Sequence, residues 1–284
     1  MHRGFGLARG GLRQYVETFV DMSKKVFVEY SRYPIAFIAL FVQIFLIILL
    51  FIFSAFAFSS GEPGDPRVTT FAGMMAYGFV TNIFLSFTLW EVGFSIREEQ
   101  VRGTLESLYL SPTNKFSNLL SRIFMILSWT TIMCAAGLGL VSVVMGGLPA
   151  SNVGMGLLIL VFTISGFLGL GFLFAGITIR LKETAQILVS FFQFFFMIFS
   201  AQFFPFSVLP QPVLDYISRW LPVSYAVDLF RTTLLGIPPE LMPGNYWLEF
   251  LIVALFGIVS PVLGYFGYRA VERKARSAGT LGEY

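Results

Sequence analysis

The densest run of ionisable side chains in this 284-residue sequence is Arg97-Glu-Glu-Gln-Val-Arg-Gly-Thr-Leu-Glu-Ser-Leu-Tyr-Leu-Ser-Pro112. Glu98, Glu99, Arg102 and Glu106 can form ion pairs, and Leu105, Leu108 and Leu110 offer a partner something to bury. The chemistry of such a segment is recognition and not bond making. Charges at the rim of a docked helix set its register and specificity more than its affinity. Gly103 costs a helix roughly 1 kcal/mol and allows a bend or a close approach. A soluble partner that grips this segment would hold a handle on whatever flanks it.

Bond-making chemistry has little to work with elsewhere. His2 is the sole histidine and Cys134 the sole cysteine. That excludes Ser/His and Cys/His catalytic pairs, an H-E-x-x-H zinc site and a disulfide framework. No G-x-x-x-x-G-K-[ST] occurs, so the chain has no P-loop for ATP phosphates. Glu91 and Glu249 are the ionisable residues within apolar runs, both near run ends. A proton-driven pump usually carries relays at mid-membrane. Glu91 is the candidate for such a group, but its place six residues before Arg97 also suits a membrane interface.

The elements that must position these residues follow from composition. The chain is 56% hydrophobic and 12% charged, about half the charge density of a soluble domain. Its apolar runs exceed the roughly 18 residues that mark a membrane helix. The net charge of +3 is too small to suggest nucleic acid. The N-terminus lacks the short apolar core of a secretory signal. The expected fold is an all-α membrane protein with six transmembrane helices, at residues 34–58, 71–96, 115–145, 153–179, 185–204 and 246–268.

Residues 11–32 read as an amphipathic helix lying in the membrane interface. Leu12, Tyr15, Val16, Phe19, Met22, Val26, Phe27 and Tyr30 share one face, with Arg13, Glu17, Asp21 and Lys24 opposite. Pro34 opens the first span at a position where its missing N–H costs nothing. Ser165/Gly169 and Gly171/Ala175 in the fourth span are small-xxx-small pairs that let helices approach closely in lipid. The rings of Phe191-Phe-Gln-Phe-Phe-Phe-Met197 suit lipid or helix contacts, or an apolar path. Pro261 predicts a kink in the last span. Gln43, Asn82, Glu91 and Gln193 are the polar residues that could mark a translocation path.

Residues 205–236 are broken by Pro205, Pro210, Pro212 and Pro222. At about 1.5 Å per residue, neither helical piece can cross a core of about 30 Å. They read as two short re-entrant helices that dip in and return on one side. Irregular backbone at that depth must be buried in protein or face water. The basic residues then set the orientation. Of the 19, only Arg67, Arg219 and Arg231 fall on the far side of a six-span chain. The positive-inside rule places both termini and the 97–112 stretch in the cytoplasm.

Two stretches resemble the permease subunits of type 2 ABC transporters, the exporter-like group that includes drug, lipid and polysaccharide permeases. Glu98-Glu-Gln-Val-Arg-Gly-Thr-Leu-Glu-Ser-Leu-Tyr-Leu-Ser-Pro112 is similar to that family's E-x-x-x-G-T-[LE]-E-x-L-x-x-[ST]-P pattern. Phe204-Pro-Phe-Ser-Val-Leu-Pro210 with Leu221-Pro-Val-Ser-Tyr-Ala-Val-Asp-Leu-Phe-Arg231 is similar to its P-x-S-x-L-P…L-P-x-[ST]-Y-x-x-D-x-x-R run. The resemblance extends over essentially the whole chain.

The resemblance implies a single transmembrane permease domain over 1–284 with no ATP site or cofactor of its own. ATP and Mg would bind a separate cytoplasmic ABC ATPase, two copies of which work with two permease subunits, as a homodimer or a paralogous heterodimer in the plasma membrane. Residues 98–110 would be the coupling helix seated in the ATPase, with Glu98, Glu99, Arg102, Gly103, Thr104, Leu105, Glu106, Leu108, Ser111 and Pro112 as the coupling residues. Pro205, Ser207, Leu209, Pro210, Pro222, Tyr225, Asp228 and Arg231 would form the external re-entrant motif that shapes the exit. The expected task is export of a hydrophobic or amphiphilic compound, with a polysaccharide or glycolipid as the alternative cargo. The rival readings outside that class are an ion-gradient-driven secondary transporter using Glu91 and a membrane scaffold or sensor without substrate.

Overall fold

Apolar runs in this chain become helices, because only a helix satisfies every backbone N–H and C=O within its own segment in lipid. The computed structural model describes residues 34–59, 66–94, 115–144, 146–181 and 184–277, together with Val20, Lys24, Val28 and Arg32. Among the described residues there are helices and turns and no strand. In chain order the helices are α1 (Pro34–Ser59), α2 (Pro66–Phe87), α3 (Lys115–Val144), α4 (Val153–Leu181), α5 (Ala185–Phe199), α6 (Gln211–Tyr216), α7 (Pro222–Leu235) and α8 (Tyr246–Ser277). A π-helical turn, Thr88–Val92, continues α2. Short 3₁₀ turns at Phe206–Val208 and Ser218–Trp220 flank α6.

Four stretches are long and apolar enough to cross a membrane among the described residues: Pro66–Val92, Leu127–Val144, Val153–Thr178 and Tyr246–Val271. α1 is a further apolar helix of 26 residues. α5 has 15 residues, about 22 Å at 1.5 Å per residue, and is short for a crossing by itself. Its apolar sequence runs on to Phe204, but the helix stops where Ala201 takes a left-handed φ of 47°. α2 begins at Pro66, before the apolar run at Phe71. The Thr69 and Thr70 hydroxyls both donate back to the Pro66 carbonyl (3.1 and 2.7 Å) and close the first turn. Of the 11–32 stretch, Val20, Lys24, Val28 and Arg32 are helical and exposed, and the rest lies outside the described residues.

The core is centred on two elements. α2 is buried along most of its length, from Val68 to Leu85. α7 is buried at every position from Val223 to Leu235. Pro222 starts α7 at a position where no N–H is required. Gly236, at φ 71°, ends it in the left-handed conformation that glycine tolerates.

α4 and α8 form the tightest helix pair. A Cβ on Gly169 would run into the Ser260 backbone, and one on Gly264 into the carbonyl of Gly169. Two serines bond across the seam reciprocally: Ser165 Oγ donates to the Gly257 carbonyl at 2.7 Å, and Ser260 Oγ to the Gly166 carbonyl at 2.9 Å. The first of these bonds has a specific cause. Pro261 lies inside α8 and has no N–H to donate four residues back, to Gly257. Ser165 supplies the missing donor from the neighbouring helix.

Candidate functional site

The described part of the candidate site is built where α7 meets the turns before and after it. Asp228 and Arg231 lie three residues apart, and so on one face of α7. Arg231 is 1% exposed, and its Nη1 donates to the carbonyls of Ala201 (2.9 Å) and Phe204 (3.0 Å). The guanidinium also lies 5.5 Å from the Phe206 ring centroid, in a cation–π contact. One charged side chain thereby holds the whole turn between α5 and the 3₁₀ turn at Phe206. Burial lowers the basicity of Arg231, and Asp228 and Glu240 oppose that effect.

On the other side, Asp228 Oδ2 accepts the amides of Glu240 and Leu241, each at 2.8 Å. Glu249, fully buried at the start of α8, accepts the next amide, Met242, at 2.7 Å. Two carboxylates thus cap three consecutive N–H groups of the 240–242 turn. This fixes the reversal between α7 and α8. Burial pushes the Asp228 carboxyl up to about 6, more than the Leu241 amide and the Arg231 charge pull it down. Glu240 reaches back with its own carboxylate to the Ser207 amide (3.3 Å).

The residues of the expected re-entrant motif divide into two groups. Tyr225, Asp228 and Arg231 are buried, and Tyr225 Oη donates to the Arg219 carbonyl at 2.9 Å. Pro205 and Leu209 bracket the 3₁₀ turn, half-buried, whereas Ser207, Pro210 and Pro222 are exposed. Tyr216 and Trp220, each 80% exposed, stand out from this segment, and Trp247, 72% exposed, from the start of α8.

A second polar group lies along α2. Asn82 Nδ2 donates to Gln202 Oε1 at 2.6 Å. Trp90 Nε1 donates to Gln193 Oε1 at 2.6 Å, and Gln193 Nε2 to Ser86 Oγ at 2.8 Å. Glu91 is half-buried within the π turn. α4 closes on that turn from the other side: Thr178 Oγ1 donates to the Gly93 carbonyl at 2.7 Å, and a Cβ on Gly171 would lie 2.8 Å from the Thr88 carbonyl. Asn82, Glu91 and Gln193 therefore belong to the contacts of α2, while Gln43 is exposed on α1. Of the phenylalanines of α5, Phe191 and Phe194 are exposed, and Phe196 is buried.

Sequence reasoning did not single out Gly78, Gln202, Phe206 or Glu240. A signal existed for Gln202, a lone amide in the apolar run Phe199-Ser-Ala-Gln-Phe203. No comparable signal marks Gly78 among the glycines of the spans. The coupling residues Glu98, Glu99, Arg102, Gly103, Thr104, Leu105, Glu106, Leu108, Ser111 and Pro112 lie outside the described residues.

The family model described as ABC-2 type transporter matches residues 18–235. The match takes in the charged 97–112 stretch and all of α7. No curated protein matches the chain.

Proposed function

This chain belongs to the ABC-2 type transporter family and is the permease subunit of an ABC transporter, and we propose that it exports a hydrophobic or amphiphilic compound, driven by ATP hydrolysis in a separate cytoplasmic subunit. The family implies an ABC ATPase as partner. Two permeases, identical or paralogous, work with two ATPases in the plasma membrane. The chain crosses that membrane six times, through α1, α2, α3, α4, α5 and α8, with both termini in the cytoplasm. The turn after α5 completes the short fifth crossing.

The observation that carries this reading is the family match over 18–235, because one continuous match spans both the charged stretch and α7. Residues 98–110 are the handle that the ATPase grips. ATP binding favours one arrangement of the ATPase pair, and a partner with different affinity for two permease conformations shifts their populations. α2, which leads directly into the handle, transmits that preference to the bundle. The 17% aromatic content suits an oily or amphiphilic cargo but does not separate it from a glycolipid or polysaccharide.

The test is a mild-detergent pull-down of the tagged chain, followed by an ATPase assay on what accompanies it. A co-purifying P-loop protein, lost when residues 98–110 are scrambled, is the expected result. A chain that comes down alone under conditions that preserve other membrane complexes would sink the reading. Stimulation of the recovered ATPase by candidate compounds then sorts oily cargo from glycolipid or polysaccharide.

A further inference from the structure

The turn Ser200–Phe204 sits between two neighbours that hold it very differently. From α7, Arg231 makes two hydrogen bonds to its carbonyls, and the Arg231–Phe206 contact backs them. From α2, the hold includes a neutral amide bond, Asn82 to Gln202, and a tilted ring contact of Phe79 with Phe203, with no charged donor among the hydrogen bonds that cross it. The rest of the α2 surface there is Gly78, where a Cβ would run into the Gln202 carbonyl. At Gly78 the backbone of the turn therefore lies directly on the backbone of α2.

Three further observations mark this contact as one that can open. Ala201 is a non-glycine residue at φ 47°, a conformation that costs energy and persists only while the surroundings impose it. Ser200, Ala201 and Gln202 are fully buried. Gln202 Nε2 and Ser200 Oγ have no hydrogen-bond partner among the described residues. Each such group in a folded protein calls for an explanation, and a second conformation that partners it is one; Arg231 Nη2 is unpartnered in the same way. Finally, α2 carries this contact near its middle and continues beyond it through the π turn at Thr88–Val92.

We propose that Gly78, Asn82 and Gln202 form a latch: the 200–204 turn is docked on α2 in this conformation, and it parts from α2, staying with α7, when the ATPase partners engage. The asymmetry of the two holds decides which side lets go. The latch rests on the function proposed above, since it needs a motor that moves α2. Its role is positional: it sets how α2 sits against the turn that ends α5.

The test uses the whole complex with its ATPase in lipid nanodiscs. Cys134→Ala removes this chain's one native thiol, and the permease band is read separately from the ATPase. Asn82→Cys and Gln202→Cys are then joined directly as a disulfide by a small membrane-permeant oxidant, which needs no room for a linker between two buried positions. Without nucleotide the cross-link should form in most molecules. After trapping with ATP and vanadate its yield should fall several-fold, and labelling of the single variant Gln202→Cys by a monofunctional maleimide should rise. Cross-linking before ATP is added should suppress compound-stimulated ATP hydrolysis, and reductant should restore it. Equal cross-link yields in both states would mean a fixed joint and overturn the latch. So would failure to cross-link without nucleotide when each single cysteine reacts. If the pair of cysteines disturbs folding, the labelling of Gln202→Cys alone decides, because a fixed joint predicts no change with nucleotide. If no ATPase co-purifies at all, the permease-with-separate-motor reading fails, and the latch fails with it.

Discussion

Ser165→Ala should destabilise the protein, and Pro261→Ala should cancel that effect. Ser165 Oγ is the donor that reaches the Gly257 carbonyl from α4, and Pro261 is the reason that this carbonyl needs an outside donor. A buried acceptor left unmade costs about 1–3 kcal/mol. Interhelical bonds in bilayers average nearer 0.6 kcal/mol, with a maximum of about 1.7. Taken together these give a loss of about 1–2 kcal/mol for Ser165→Ala in the wild-type background. In a Pro261→Ala background the new N–H at 261 closes the ordinary helical bond to Gly257, so Ser165→Ala should cost only a few tenths of a kcal/mol, an estimate that assumes its packing is unchanged.

Ser260 supplies the control. Its Oγ donates to the Gly166 carbonyl, which sits four residues before Leu170, a residue with its own N–H. Ser260→Ala should therefore cost less than Ser165→Ala, and the same amount with or without Pro261. The assay is reversible unfolding in mixed micelles, read as the double-mutant cycle for each serine with Pro261. Equal costs of Ser165→Ala in both backgrounds would refute the reasoning, because the bond would then be a general helix–helix contact and not a repair of the proline gap.

Arg231→Ala should cost about 3–5 kcal/mol, the range for removing one member of a buried charged group, because the Ala201 and Phe204 carbonyls lose their donor and Asp228 loses its neighbouring charge; thermal unfolding in detergent checks this, and a loss below about 1 kcal/mol would show the knot to be unimportant. Asp228→Asn keeps an oxygen for the Glu240 and Leu241 amides but removes the titration. The Asp228 carboxyl is raised from 3.8 to about 6 in the folded protein, so the folded state binds the proton more tightly, and stability present below pH 4 is lost as pH rises through 6. The stability of wild type relative to Asp228→Asn should fall by up to about 3 kcal/mol over that window; a flat difference from pH 4 to pH 8 contradicts the assignment. A cysteine at Gln211, exposed at the start of α6, should react with an impermeant maleimide added outside intact cells, and reaction only after the cells are opened would invert the proposed orientation.

What was legible in the sequence was set by length of apolar run and by proline. Pro34 and Pro222 stand at the starts of α1 and α7, where a missing N–H is harmless; Pro66 starts α2 in the same way, but the apolar run had pointed to Phe71. The short helices after α5 were legible because prolines interrupt them too often for a crossing. The Asp228 and Arg231 pair was legible as a motif, but its partners were not: they are backbone groups of Ala201, Phe204, Glu240 and Leu241, which any residue type could provide. Hydropathy also missed where helices stop. Phe203 and Phe204 are as apolar as the phenylalanines before them, yet α5 ends at Phe199 because the turn is held from outside by Arg231 and Asn82. The close approach at Gly78 depends on a residue 124 positions away, and no local pattern encodes that.

The π turn at Thr88–Val92 has a geometric result for everything downstream. A π turn amounts to one residue inserted into an α-helix, and each residue of an α-helix advances the chain by about 100°. Side chains before Phe87 and after Val92 therefore follow the same helical screw but out of phase by nearly a third of a revolution. α2 is buried on every side from Met75 to Leu85; past the insertion only one side stays covered, with Val92 and Gly93 buried and Glu91 and Phe94 half-buried, and that side is set by the offset. Removing Leu89 would undo that offset without touching a charge, turning Gly93 and Phe94 by about 100° relative to α2. The direction in which the last described turn of this helix faces is thus written in the number of residues between Phe87 and Gly93, and not only in their identity.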